Sequence, residues 1–325
     1  MTLGEGTVCG IAGIIYRHSR DYSRLGSDLL TLIQPLESRG PDSSGVALYH
    51  SHQPSSVFTI VLRGQGKSRW QDVLQWFEAI APVAQTAAIT NGQRIRLDLS
   101  GLEGLDLTTV RWGFRQQFPD LHWVSAGYSL EVYKEVGAVA NLDNAYGLHD
   151  FSGSHGIGHT RMATESAVDT DHCHPFTAGT DLAIVHNGQI SNYYRLRFQL
   201  ERSGVIFETD NDSELLAHYI NYHLQQGEAL ESVLYRLLDV VDGTYTFLVA
   251  TVDYVGLVRD RTAAKPAVIY ETENMVAIAS EYRALLNLPD FNPKATVREP
   301  DASEINIWST ATGLKLAPPL SKALL

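Results

Sequence analysis

Apolar residues in this chain fall into many short runs separated by polar clusters. "CGIAGIIY" (Cys9–Tyr16) is almost continuously apolar and carries Gly10 and Gly13. It reads as a buried strand on which another backbone or a ligand comes close. "VALYH", "HGIGHTR", "LAIVHNG", "SLEVYKEVG" and the tail runs "YTFLVATVD", "VGLVRD", "PAVIYET", "MVAIAS" and "EINIWST" are further strands. Helical spacing of Leu25, Leu29, Leu32, Ile33 and Leu36 predicts a helix over roughly Tyr22–Glu37, stopped by Gly40 and Pro41. "NYYRLRFQLERSG" and "DNDSELLAHYINYHLQQG" predict two more, the second capped by Asn211 or Asp212 with Glu214 in its first turn, and a short one follows near Glu228–Val240.

Between about residues 51 and 126 the pattern changes. A strand "VFTIVLRG" precedes an amphipathic helix carrying Trp70, Val73, Leu74 and Phe77 on one face. An Asn-Gly turn at Asn91-Gly92 then joins two extended runs as a hairpin. This stretch reads as an inserted α/β subdomain, and no residues within it form a chemical constellation. The mixed order of hairpins and helices predicts an α+β layered sandwich.

With 325 residues and 44% hydrophobic content, the chain has ample material for a packed core. Its net charge of -12 is spread out and repels phosphates, which argues against nucleic acid and anionic membranes as partners. Two cysteines, Cys9 and Cys173, are too few for a disulfide framework. Without a signal-peptide pattern or an apolar run of membrane-spanning length, a cytoplasmic location is expected.

Three polar clusters sit where strands end or helices begin: "GHTRMAT" (158–164), "HNG" (186–188) and "DNDSE" (210–214). Singly, each has a plain structural explanation as a turn, a cap or a surface charge. Together with the near-terminal Cys-Gly-Ile, "SRGPDSSG" and "HCHPF", and in that order, they resemble the class II glutamine amidotransferases, which are N-terminal-nucleophile (Ntn) hydrolases. The likeness covers about Cys9–His50 and Leu130 onward.

The resemblance implies a four-layer αββα sandwich and an enzyme that hydrolyses glutamine to glutamate and ammonia. Cys9 is then the nucleophile, with its own α-amine as base. Asn187 and Gly188 form the oxyanion hole. Arg161 pairs with the substrate α-carboxylate and Asp212 with its α-ammonium. Thr164 and His174 lie in segments that line the substrate pocket, and Arg39 orders the site around Cys9. Met162 stands where many relatives carry an aromatic residue. His159 and His186 are expected to be hydrogen-bonded strand residues. No metal is expected at His172, Cys173 and His174, because no second cysteine pair completes a familiar ligand set.

Eight residues precede Cys9, and in the encoded chain its nitrogen is an amide that cannot accept a proton. Residues 1–8 are therefore read either as a propeptide or as a misassigned start, with translation beginning at Val8. No dinucleotide fingerprint, P-loop or iron–sulfur cysteine cluster is present. The chain is expected to hold no cofactor and to pass ammonia to a synthase subunit. "HGIGHTRMATESAVD" and "HCHPF" look most like the stand-alone amidotransferase subunits of glutamate-synthase-like complexes, including N-methylglutamate synthase, whose partner carries a flavin. "LEVYKEVGAVANL" also resembles the phosphoribosyl-pyrophosphate amidotransferases, whose second domain is missing here. The competing function class is a catalytically silent subunit that senses glutamine or scaffolds a complex.

Overall fold

The computed structural model describes residues 9–50, 57–64, 69–89, 94–101, 106–163 and 168–316. Residues 1–8, the Asn91-Gly92 turn and Thr164 lie outside them.

Two antiparallel sheets stack face to face. The first has seven strands in the spatial order Thr296–Arg298, Val268–Glu271, Met275–Ala279, Gly10–Tyr16, His155–Arg161, Ser43–Tyr49 and Leu130–Val136. The second has five: Ile305–Ser309, Tyr254–Arg259, Gly243–Ala250, Ala183–Ile190 and Phe176–Thr177. Strand side chains alternate between faces, and here both faces are apolar because both are covered. In the Gly10–Tyr16 strand, Ile11 and Ile15 point into the core between the sheets, where Ile157, Val185, Leu248 and Leu257 meet them. Ala12, Ile14 and Tyr16 point the other way, onto the Leu25–Ile33 helix and its neighbours. Helices Tyr193–Arg202, Asp212–Gln225 and Leu230–Val240 cover the outer face of the second sheet. The layers are therefore αββα, as the resemblance implies.

Between Tyr49 and Leu130 the chain builds a third sheet, ordered Val83–Ile89, Arg94–Leu99, Phe58–Arg63, His122–Gly127. Helices Trp70–Glu78 and Leu107–Gln117 pack on it around Phe77, Phe114, Phe118 and Trp123, a core of its own.

Several details depart from the sequence pattern, among them an unexpected helix at Val139–Tyr146. The expected Tyr22–Glu37 helix is α-helical only over Leu25–Ile33, with 3-10 turns at Ser19–Arg24 and Gln34–Ser38. Pro35 explains the change at the C-terminal end, since it has no N–H to give and its ring clashes with the preceding turn. Helix Leu107–Gln117 escapes the periodicity because its apolar face is narrow. Its start is nonetheless clear, as Asp106 accepts from the Thr108 N–H at 3.0 Å.

Glycines let the layers close on the site. A Cβ on Gly45 would collide with the His174 carbonyl oxygen. Gly45→Ala is therefore expected to lower stability by about 1–3 kcal/mol. Equilibrium denaturation checks this, and an unchanged midpoint would show that the His174 segment moves aside freely.

Candidate active site

The ladder of the first sheet fixes the backbone just after Cys9. Gly10 pairs with Thr160. The Ile11 N–H donates to Ser280 Oγ, and the Ser280 N–H donates back to the Ile11 carbonyl, both at 2.9 Å. Cys9 is half-buried at the strand's open end. Its carbonyl accepts from Asn187 Nδ2 at 2.8 Å and from Arg39 Nε at 3.4 Å. Its Sγ accepts from the Met162 N–H at 3.4 Å.

Each of these partners is itself held. Arg39 reaches past Cys9 to Glu281 Oε1 at 2.6 Å. Asp42, in the "SRGPDSSG" loop, donates its N–H to the Arg161 carbonyl (3.0 Å) and accepts from the Ala163 N–H (2.8 Å). That loop thus clamps the residues leading out of the His155–Arg161 strand, with Met162 among them. Asn187 is buried in the second sheet, paired with Thr246. Gly188 follows it at φ +147°, where a Cβ would collide with the Thr244 carbonyl oxygen, so the position requires glycine.

Burial pushes the Cys9 thiol up, against the pull of the Met162 N–H and of the positive charges of Arg161 and Lys265. At neutral pH the sulfur is therefore a thiol that needs a base. Arg161 is buried, and its charge also acts on His159, His174 and Cys173.

Asp212 stands one step behind this group. It opens the Asp212–Gln225 helix, but the cap is Asn211, whose side chain accepts from the Ser213 N–H. This leaves the Asp212 carboxylate to accept from the Ile190 N–H at 3.0 Å, two residues beyond Gly188. Burial opposes its ionisation, but His186, the Ile190 N–H and Ser213 outweigh that and hold it below the ordinary carboxylate range. An anion is thus available for an ammonium group.

His174 lies in the segment expected to line the substrate pocket. Its ring is buried between the layers, stacked on His159 with centroids 3.9 Å apart. Its Nδ1 accepts from the His186 N–H at 3.3 Å, and its Nε2 meets Ser213 Oγ at 3.3 Å. Ser213 Oγ in turn meets His186 Nδ1 at 2.9 Å, while His159 Nε2 donates to the His186 carbonyl at 3.0 Å. The three imidazoles and the serine form one buried network behind Asn187 and Asp212, with His159 and His186 bonded as expected.

The structure thus brings Cys9, Arg39, Arg161, Asn187 and Gly188 together, with Asp212 at the same strand and His174 supporting it from behind. Sequence reasoning missed the Met162 main chain, Lys265, Ser213 and Glu281. Among the described residues, no group of three His, Cys, Asp or Glu side chains is arranged to hold a metal, and no helix is long and apolar enough to cross a membrane.

Residues 144–303 match the glutamine amidotransferase domain model. The chain is 39% identical over 301 residues to the glutamine amidotransferase-like protein GlxB of Rhizobium meliloti, covering 93% of this chain and 98% of that one. It is 33% identical over 174 residues to the glutamine–fructose-6-phosphate aminotransferase (isomerizing) of Gluconobacter oxydans, covering 51% of this chain but 28% of that enzyme. Among solved structures, glutamine phosphoribosylpyrophosphate amidotransferase from B. subtilis, complexed with ADP and GMP, superposes with a TM-score of 0.60 at 18% identity. The match covers 96% of this chain and 50% of that one, and it shows a shared fold.

Burial holds His155 and His159 down to about 3 and His174 well below its ordinary value, so all three are neutral in the folded protein. The unfolded chain protonates them below about pH 6.5, the ordinary imidazole value. Their stabilising contribution is therefore complete above that pH and is lost as pH falls, by up to about 1.4 kcal/mol per pH unit for each group. Denaturant titrations at pH 7.0 and 5.5 are expected to show this slope, and equal stability at the two values would contradict it.

Proposed function

The chain belongs to the class II glutamine amidotransferases, enzymes of the Ntn-hydrolase fold, and from that premise we propose that Cys9 hydrolyses glutamine through a glutamyl thioester. The observation that carries this reading is the meeting of Cys9 and Asn187 across the two sheets, 2.8 Å apart, with the Arg161 charge acting on the sulfur.

The base we propose is the Cys9 α-amine, whose ordinary pKa of about 7.7–8.0 suits a neutral working pH. It exists only once the Val8–Cys9 bond is cut, or once translation starts at position 8 and the initiator methionine is removed. The amine takes the thiol proton as sulfur attacks the side-chain carbonyl carbon. The C–N bond then breaks, and the same proton leaves with nitrogen as ammonia. Water next splits the thioester, returning the thiol and glutamate.

Asn187 has two amide hydrogens, and the Cys9 carbonyl takes one of them. The other, with the Gly188 N–H, is assigned to the tetrahedral oxyanion. Arg161 and Asp212 offer opposite charges suited to the two ends of an α-amino acid, the first through a bidentate fork. Arg39 fixes the Cys9 carbonyl. Thr164 remains a proposed pocket residue on the strength of the resemblance.

Ammonia from enzymes of this family goes to a synthase domain or partner. Here we assign the acceptor to a separate polypeptide. This is supported by the near end-to-end match to GlxB, against a match to only a fraction of the fructose-6-phosphate aminotransferase. A glutamate-synthase-like partner carrying flavin is the reading that "HGIGHTRMATESAVD" and "HCHPF" favour.

Purified protein with a verified free Cys9 is expected to release glutamate and ammonia from glutamine in equal amounts, and Cys9→Ala is expected to release none. Tight glutamine binding without turnover in that same protein would favour the silent sensor instead. Asn187→Ala is expected to lower kcat by about 10²–10³-fold, the usual loss for one oxyanion donor. An effect on KM alone would remove Asn187 from that role.

A further inference from the structure

A second constellation lies where the third sheet meets the sandwich, and none of Cys9, Arg161, Asn187 or Asp212 lines it. Four cations face this cavity: Arg63 and Arg94 from the third sheet, Arg111 from the Leu107–Gln117 helix, and Lys134 from the first sheet. Two of them are neutralised, Arg63 by Asp171 and Arg111 by Glu208. The remaining carboxylate on the wall, Glu214, is committed to the Glu208 N–H, the Thr209 N–H and the Thr209 hydroxyl, each at 2.7 Å.

Arg94 and Lys134 have no such partner. They are 3% and 8% exposed. Arg94 Nη2 donates to the Lys134 carbonyl at 2.8 Å, but Nη1 is buried with no hydrogen-bond partner. Lys134 Nζ sits 4.9 Å from the centre of the Phe176 ring. Among the described residues no carboxylate lies within ion-pair reach of either cation. Burial accordingly depresses both, Lys134 to about 8. Glu135 and Asp171 act on them only from beyond ion-pair distance, and two neighbouring, buried positive charges without an ion-pair partner are an arrangement that folding penalises unless something completes it.

The space beside them has a volume of about 50 Å³. One water needs roughly 10–15 Å³ measured this way, so the cavity has room for several waters or one small oxyanion. The hydroxyl-bearing Thr170, Thr177 and Thr209 also line it. We propose that this cavity is a binding site for a small oxyanion, a phosphate or carboxylate group, held by the Arg94 guanidinium and the Lys134 ammonium. The guanidinium supplies directional N–H donors and the ammonium a point charge, the usual pairing for such groups.

The test titrates the full-length protein with inorganic phosphate and separately with acetate. Calorimetry and thermal melts are read against sodium chloride at equal ionic strength. A saturable heat and a rise in Tm beyond the chloride control are expected. The stronger response, phosphate or acetate, tells a phosphate-type from a carboxylate-type ligand. Lys134→Met and Arg94→Met are each expected to weaken binding by about tenfold or more, as loss of a charge-assisted contact should. Each variant should keep or raise the Tm of the anion-free protein, because an unpaired buried charge has been removed. Should Arg94→Met fail to fold, Lys134→Met and the wild-type titrations decide. No response to either anion beyond chloride, or unchanged affinity in Lys134→Met, overturns the proposal.

Discussion

The hydrogen bond from Asn187 Nδ2 to the Cys9 carbonyl, 2.8 Å long, crosses between the two sheets at the site. Cys9 belongs to the first sheet and Asn187 to the second, so the bond forms only if the sheets hold a fixed separation and register. The core between them sets both. Ile11, Ile15 and Ile157 from one side interleave with Val185, Leu248 and Leu257 from the other, all fully buried. Stacked sheets lie about 10 Å apart. Misplacing a reacting group by about 1 Å can cost 10²-fold in rate, so the packing of that layer is part of the proposed chemistry.

The electrostatics follow from the same burial. Desolvation keeps His159 and His174 neutral and raises the Cys9 thiol. The positive charges that act on the sulfur are then those of Arg161 and Lys265. Asp212, held ionised by His186, Ser213 and the Ile190 N–H, supplies the opposite sign from the second sheet. Two neutral imidazoles, His159 and His174, thus lie behind a site that holds Arg161 and Asp212, the opposite charges proposed for the two ends of an amino acid.

Much of this was legible in the sequence. "HGIGHTR" coincides with the His155–Arg161 strand, and the polar residues closing "LAIVHNG" sit where the second sheet reaches Cys9. Only the first strand ends at its polar residues; the second runs on past His186–Gly188 to Ile190. The helix at Leu107–Gln117 and the break at Pro35 were not read, the first for want of a wide apolar face. Ser213, Lys265 and Glu281 were missed for a different reason. Their roles come from contacts between residues far apart in the chain, such as Arg39 with Glu281, which no local pattern encodes. His174 stands in a well-marked motif, yet its ring turns inward, because the motif locates the segment and packing decides which way the ring points. The 51–126 stretch was read as chemically empty, since Arg63, Arg94 and Lys134 are scattered in sequence and meet only when the third sheet folds against the first.

The central claim is that one residue supplies both the attacking sulfur and the nitrogen that accepts its proton. Acid quenching of the enzyme during glutamine turnover, followed by peptide mass spectrometry, tests it most directly. The account predicts one added glutamyl group on a peptide that begins at Cys9 with a free α-amine. Turnover by protein whose Cys9 nitrogen is still joined to Val8, or a glutamyl group attached elsewhere, would contradict it.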